Sequence, residues 1–193
     1  GIAMFGSTYL LPLYLQLGLG LSPSYVGTLL LPSGLLLALT IAVVGRYSST
    51  HPTHLMVSFG LVLLALSFAL MLSVNLQTGL WVLVVFAILG RVGLGFILPS
   101  LNIGAMRGMD GSLIPQGASV INFLRMLGGA AGVSLCGILL EWRLAVHGDS
   151  LTNAKTSAMR LAAFDEVFLM LALVCMLALL AAWRIRQPHP HTH

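Results

Sequence analysis

Six apolar stretches run through this chain, each close to the length a bilayer core demands and with almost no charge inside. A helix crossing the hydrocarbon layer needs about 20 consecutive apolar residues. Only 7% of the chain is charged and 58% is hydrophobic, whereas a soluble domain is typically about 25% charged. Mean hydropathy reaches +1.00. With so little polar surface to meet water, the chain is expected to be an all-α integral membrane protein, a bundle of six transmembrane helices.

The expected spans are about residues 2–19, 25–44, 55–74, 80–98, 116–140 and 167–183, forming one bundle over 1–186, with a disordered His/Pro tail at 187–193. Pro12 interrupts the first span and Pro32-Ser33-Gly34 the second. Proline removes an i→i−4 hydrogen bond and its ring meets the preceding turn, so both sites are expected to kink their helices. The link between those spans is uncharged and offers Ser22 or Ser24 as a helix cap. A polar loop, Gly45 to His54, follows, and Asn75-Leu76-Gln77-Thr78-Gly79 forms a tight uncharged turn. The fourth span is expected to end at Pro99, leaving Arg107 and Asp110 in a connection; a second polar loop runs from Glu141 to about Phe164.

The loops also suggest an orientation. Arg46, Arg107, Arg184 and Arg186 fall on one side, while Arg143, Lys155 and Arg160 all belong to a single loop on the other. The positive-inside rule then places both ends in the cytoplasm, in a bacterial inner membrane. Trp81, Trp142 and Trp183 sit at expected span ends, where amphipathic rings settle at the interface.

Two arginines break the apolar pattern: Arg91 in the fourth stretch and Arg125 in the fifth. An intramembrane cation costs about 2.5 kcal/mol or more, so it normally faces a partner or a wet cavity. At about 1.5 Å per residue, each lies roughly 12–14 Å from the inner end of its span. Arg91 and Arg125 are therefore candidates for substrate or coupling residues lining one cavity. The bland reading is that they bond neighbouring backbone and hold the bundle together. No Asp or Glu lies mid-span; Glu141, Asp165 and Glu166 cluster at outer ends. A proton-driven carrier needs a titratable group, so any proton carrier is expected elsewhere.

Glycines supply a second pattern. Gly128 and Gly132 form a GxxxG beside Gly129, and Gly90, Gly93 and Gly95 make a small-residue face around Arg91. Such faces let helix backbones approach closely in lipid. Other chemistry is absent from the sequence. Cys136 and Cys175 are isolated in apolar stretches, as small buried residues rather than a disulfide or metal pair. His189, His191 and His193 form a terminal tract without an acidic ligand nearby. No cofactor, resident metal, catalytic constellation or nucleic-acid partner is expected, despite a formal charge of +4. The first apolar run lacks a basic leader, so it does not read as a cleavable signal peptide. A chain opening on Gly1 inside an apolar run reads as part of something longer.

Several blocks carry a resemblance. They are Pro32-Ser33-Gly34; Gly45-Arg46-Tyr47-Ser48; Gly90-Arg91-Val92-Gly93-Leu94-Gly95-Phe96-Ile97-Leu98-Pro99; Gly117-Ala118-Ser119 to Asn122-Phe123-Leu124-Arg125; and Gly128-Gly129-Ala130-Ala131-Gly132-Val133. Their order and spacing resemble the C-terminal six-helix bundle of the major facilitator superfamily, specifically the fourteen-span drug:proton antiporters of the EmrB/QacA type. The resemblance implies an exporter whose two bundles rock around a midplane site, with the N-terminal half, the lipid bilayer, a small-molecule substrate and protons as partners. Gly45, Arg46 and Ser48 then resemble the second-half copy of a cytoplasmic-loop motif, with Ser49 where the family carries Asp. Arg91 with Gly95 resembles an echo of the Arg-Gly motif on the fourth helix. Asn122 joins Arg91 and Arg125 as a substrate or coupling candidate.

The function expected on this footing is proton-coupled export of small lipophilic compounds by alternating access. The rival is a non-transporting six-span assembly or structural protein, in which Arg91 and Arg125 serve only packing.

Overall fold

The computed structural model describes residues 1–184 apart from 49, 108 and 152–156. Ser49, Lys155, Arg186 and the His189, His191 and His193 tract lie outside the described residues. Every regular element described is helical. Helix α1 spans Ile2–Leu13 and continues into a π turn, Tyr14–Gly18; then come α2 (Pro23–Tyr47), α3 (Thr53–Met71), α4 (Leu80–Met106), α5 (Ile114–Val146) and α6 (Ala158–Arg184). A 3-10 turn, Gly111–Leu113, leads into α5. The helices α2 to α6 are each long and apolar enough to cross a membrane.

Local chemistry explains the helix starts. Ser22 accepts a hydrogen bond from the Tyr25 amide at 3.4 Å, with Pro23 at the first helical position. The hydroxyl satisfies an amide that has no partner in the first turn, and proline has no amide to lose there. Pro115 plays the same part at the start of α5. Between α3 and α4, the Asn75 side chain accepts from the Gln77 amide at 3.0 Å, and the Thr78 hydroxyl accepts from the Asn75 amide at 2.9 Å. This closes a turn without charge.

The helices run further than hydropathy alone suggests. Helix α2 reaches Tyr47, so Gly45 and Arg46 belong to its last turn rather than to a loop, and Ser48 is its C-terminal cap. A cation in that turn faces the negative end of the helix dipole, which favours the extension. Helix α4 continues through Pro99 to Met106. Helix α6 begins at Ala158, so Arg160 and Phe164 lie on a helix instead of in the polar loop expected there. A dip in hydropathy had masked helical residues whose polar groups find partners inside the fold.

Helix α4 packs against both α2 and α3; α3 also packs against α6, and α1 against α5 and α6. Pro12 is accommodated within α1. Just beyond it the helix widens, with the Leu19 amide donating to the Tyr14 carbonyl at 3.1 Å. Tyr14 is fully buried. Its ring meets Phe164 and Phe168 edge-on, with centroids 5.3 and 5.5 Å away, the arrangement favoured by opposed ring quadrupoles.

Glycine permits close helix crossings. A Cβ on Gly93 would stand 2.7 Å from the Gly60 carbonyl oxygen, and one on Gly60 would stand 2.6 Å from that of Gly93. At this crossing α3 and α4 touch backbone to backbone. The GxxxG of α5 meets the start of α1, where a Cβ on Gly132 would lie 2.7 Å from the Ile2 backbone; Gly129 faces the Phe5 ring. Gly128 lies nearest Gly1 at an ordinary 3.5 Å, and Gly95 packs on Thr40. Gly34 faces open space, with nothing within 4 Å of its Cβ direction, and neighbouring Pro32 is exposed.

Candidate functional site

Arg91 projects from α4 across to α1, where its Nη1 donates to the Thr8 hydroxyl at 3.2 Å. Thr8 in turn donates to the Met4 carbonyl one helical turn earlier, at 2.9 Å. Beside this pair lies a small cavity, with about 20 Å³ for the centre of a water molecule, enough to hold about one water. Ser7 from α1, Ser67 from α3, Gly90 and Arg91 from α4 and Phe168 from α6 line it. The two serine hydroxyls donate to the Met4 and Phe86 carbonyls, at 2.8 and 2.7 Å. Their remaining lone pairs leave the cavity a polar patch in an apolar wall. Gly90 matters here because a Cβ would come within 2.7 Å of the Ser67 hydroxyl.

Arg125 lies elsewhere. Its Nη2 donates to Asn122 Oδ1 at 2.6 Å, three residues back on the same helix. It is not among the residues lining the Arg91 cavity. In this structure Arg91 and Arg125 do not border this cavity together. Helix α4 lies against α2 and α3, whereas α5 lies chiefly against α1 and α6. Neither arginine has a carboxylate partner among the described residues. A guanidinium held by one neutral hydroxyl retains most of its five donors for another group.

The residues resembling the loop motif instead tie two helix ends. Ser48 is fully buried and its hydroxyl donates to Ser100 on α4 at 3.3 Å. Arg107 reaches back to the Ser48 and His51 carbonyls at 2.7 and 3.3 Å. Sequence reasoning had given Arg107 only a topological role. Gly45 has no neighbour within 4 Å of its Cβ direction, and Arg46 is exposed on the last turn of α2.

Two ionic clusters at the opposite end also escaped the sequence. Arg143 forms a forked pair with Glu166, and His147 Nε2 lies 3.4 Å from the same carboxylate. Arg160 is only 2% exposed. It donates to both oxygens of Asp149 at 3.2 Å and to the carbonyls of Leu17 and Ser150 at 3.0 and 2.8 Å. One residue thus joins the π turn, the loop after α5 and the first turns of α6. No group of residues among those described is arranged to hold a metal ion.

The family model described as Major Facilitator Superfamily matches residues 1–133. The chain belongs to the Major Facilitator Superfamily. With its long apolar helices, it is a multi-pass membrane protein of a superfamily of transporters, which are generally not enzymes. The "Methylenomycin A resistance protein" of Streptomyces coelicolor is 26% identical over 187 residues, covering 95% of this chain and 36% of the relative. The "Multidrug transporter protein MdtP" of Bacillus subtilis is 24% identical over 152 residues, 79% of this chain and 28% of the relative. The "Fatty acid resistance protein FarB" of Neisseria gonorrhoeae is 28% identical over 142 residues, 74% of this chain and 28% of the relative. The chain thus spans roughly a third of the length of these relatives.

Proposed function

We propose that this superfamily chain is the C-terminal, six-span bundle of a proton-coupled exporter of small lipophilic compounds, with Arg91 at its substrate-facing cleft. The observation that carries the reading is the single neutral hydrogen bond from Arg91 to Thr8. An intramembrane cation left this open needs water or an incoming electronegative group to offset its desolvation. The substrate class follows from that wall: mostly apolar, with one cationic anchor suited to a carboxylate, phenolate or carbonyl. Relatives named for resistance to methylenomycin A and to fatty acids fit such compounds. Arg125 with Asn122 serves as a second polar station on α5, outside the cavity.

An N-terminal bundle would complete the transporter. Helices α2 and α5 support this, because they leave apolar residues such as Leu31, Leu35, Leu39, Phe123 and Leu127 exposed at 57–66%. A second bundle and lipid together would cover those faces. On the positive-inside rule, Arg46, Arg107 and Arg184 favour a cytoplasmic side for both ends of the bundle in an inner membrane.

Replacing Arg91 with Gln in the complete transporter tests the reading. Extrusion of an anionic amphiphile such as oleate is expected to fall about tenfold, the scale of one lost charged hydrogen bond. Membrane insertion should be unchanged. Transport at the wild-type rate would leave Arg91 with packing alone and favour a non-transporting role.

A further inference from the structure

A groove opens on the flank of the bundle where the end of α2 meets the start of α3. Its volume is about 520 Å³, within the range of about 300–1,000 Å³ usual for small-ligand sites. Val43 and Tyr47 from α2, Leu55 and Phe59 from α3 and Phe96 from α4 form the walls, and His51 and Pro52 close one end. Phe59 and Phe96 meet edge-on, with ring centroids 5.0 Å apart. The groove shares no residue with the Arg91 cavity.

Its two ends differ in chemistry. Away from the helix ends it runs into an apolar stripe on α3, where Leu55, Phe59, Val62 and Leu66 recur at helical spacing and are 46–58% exposed. From Leu55 to Leu66 the stripe covers about 16 Å at 1.5 Å per residue. One leaflet of a hydrocarbon core about 30 Å thick is about 15 Å deep, so the stripe has the length of one acyl chain. The other end is cationic. Arg46 is exposed on the last turn of α2, one turn on from Val43. Arg107 donates to the His51 carbonyl at 3.3 Å, which brings its guanidinium beside the mouth. Tyr47 is exposed there too, and such amphipathic rings settle at the headgroup level. No acidic residue precedes Asp110, which lies in the connection after α4. The three helices that wall the groove therefore carry cations and no carboxylate.

We propose that this groove is a binding site for one anionic phospholipid, with an acyl chain along Phe59 and the α3 stripe and the phosphate at the Arg46 end. A cationic rim above an apolar trough complements such a lipid in both charge and length, and each basic residue near the surface adds about 1 kcal/mol, or about fivefold, for an anionic headgroup. The inference needs only a bundle that spans a bilayer. It is separate from what the transporter carries and from what drives it.

Photocrosslinking in the complete transporter tests the occupant. Leu55→p-benzoylphenylalanine places the probe at an exposed position in the groove wall. In vesicles of equal phosphatidylglycerol and phosphatidylcholine, mass spectrometry of the labelled peptide is expected to show a phospholipid adduct, with phosphatidylglycerol favoured at least fivefold. Adding Arg46→Gln should cut that preference about fivefold, and Arg46→Lys should keep it. Equal adducts with both lipids would mean ordinary contact with the bilayer and would overturn the proposal. So would a preference undiminished by Arg46→Gln. An adduct to another peptide of the transporter would show that protein covers the groove, and an absence of any lipid adduct would likewise rule the site out.

Discussion

Arg160→Met should destabilise the protein by about 3–5 kcal/mol, the usual effect of removing one partner from a buried ion pair. Both side chains are deeply enclosed, at 3% exposure for Arg160 and 9% for Asp149. The variant strands the Asp149 carboxylate and also leaves the Leu17 and Ser150 carbonyls without their donor. Cys136 and Cys175 are both fully buried, so labelling with a thiol-reactive fluorophore during heating reports unfolding. The midpoint is expected to fall by about 10 °C. Removing both charges, in Arg160→Met with Asp149→Asn, should recover part of the loss, because the uncompensated charge is then gone. A melting point unchanged by Arg160→Met would show that the ion pair and its carbonyl contacts hold nothing together.

Gly93→Leu should be at least as damaging, by a different route. At this crossing the Gly93 position has 2.7 Å to the Gly60 carbonyl oxygen and 3.0 Å to the Leu64 amide nitrogen. Backbone cannot step aside as a flexible side chain can, so α3 and α4 must separate. Overpacking typically costs about 1–3 kcal/mol, and Gly93→Ala belongs at that level, with Leu above it. Gly137→Ala is the contrasting case, since the nearest atom to its Cβ direction is the Tyr9 hydroxyl at 3.8 Å. That variant should melt within a degree or two of wild type, helped slightly by alanine's better helix propensity. Equal destabilisation by Gly93→Ala and Gly137→Ala would remove the backbone contact as the cause.

Much of the architecture could be read from the chain because lipid leaves few options. Long uncharged apolar runs must be helices when their backbone has no water to bond, and Arg91 announced itself by its cost. The positions of polar partners could not be read the same way. Arg160 looked like an ordinary loop charge because hydropathy drops around it, yet α6 starts at Ala158 and folds it inward against Asp149. Arg107 looked like a topological signal, but its use depends on where the end of α2 meets α4. Arg91 and Arg125 were grouped by similar depth on consecutive helices. Consecutive helices need not be each other's main packing partners, and α5 lies chiefly against α1 and α6.

The central claim is that the cleft between Arg91 and Thr8 opens in turn to each side of the membrane. Its most direct test is labelling of Thr8→Cys in the complete transporter with a membrane-impermeant maleimide. Thr8 is exposed, and the native cysteines are buried. The expected result is labelling from either face, with oleate slowing the reaction as it occupies the cleft. A cysteine reached from one face only, at a rate oleate does not change, would contradict an alternating-access site at Arg91.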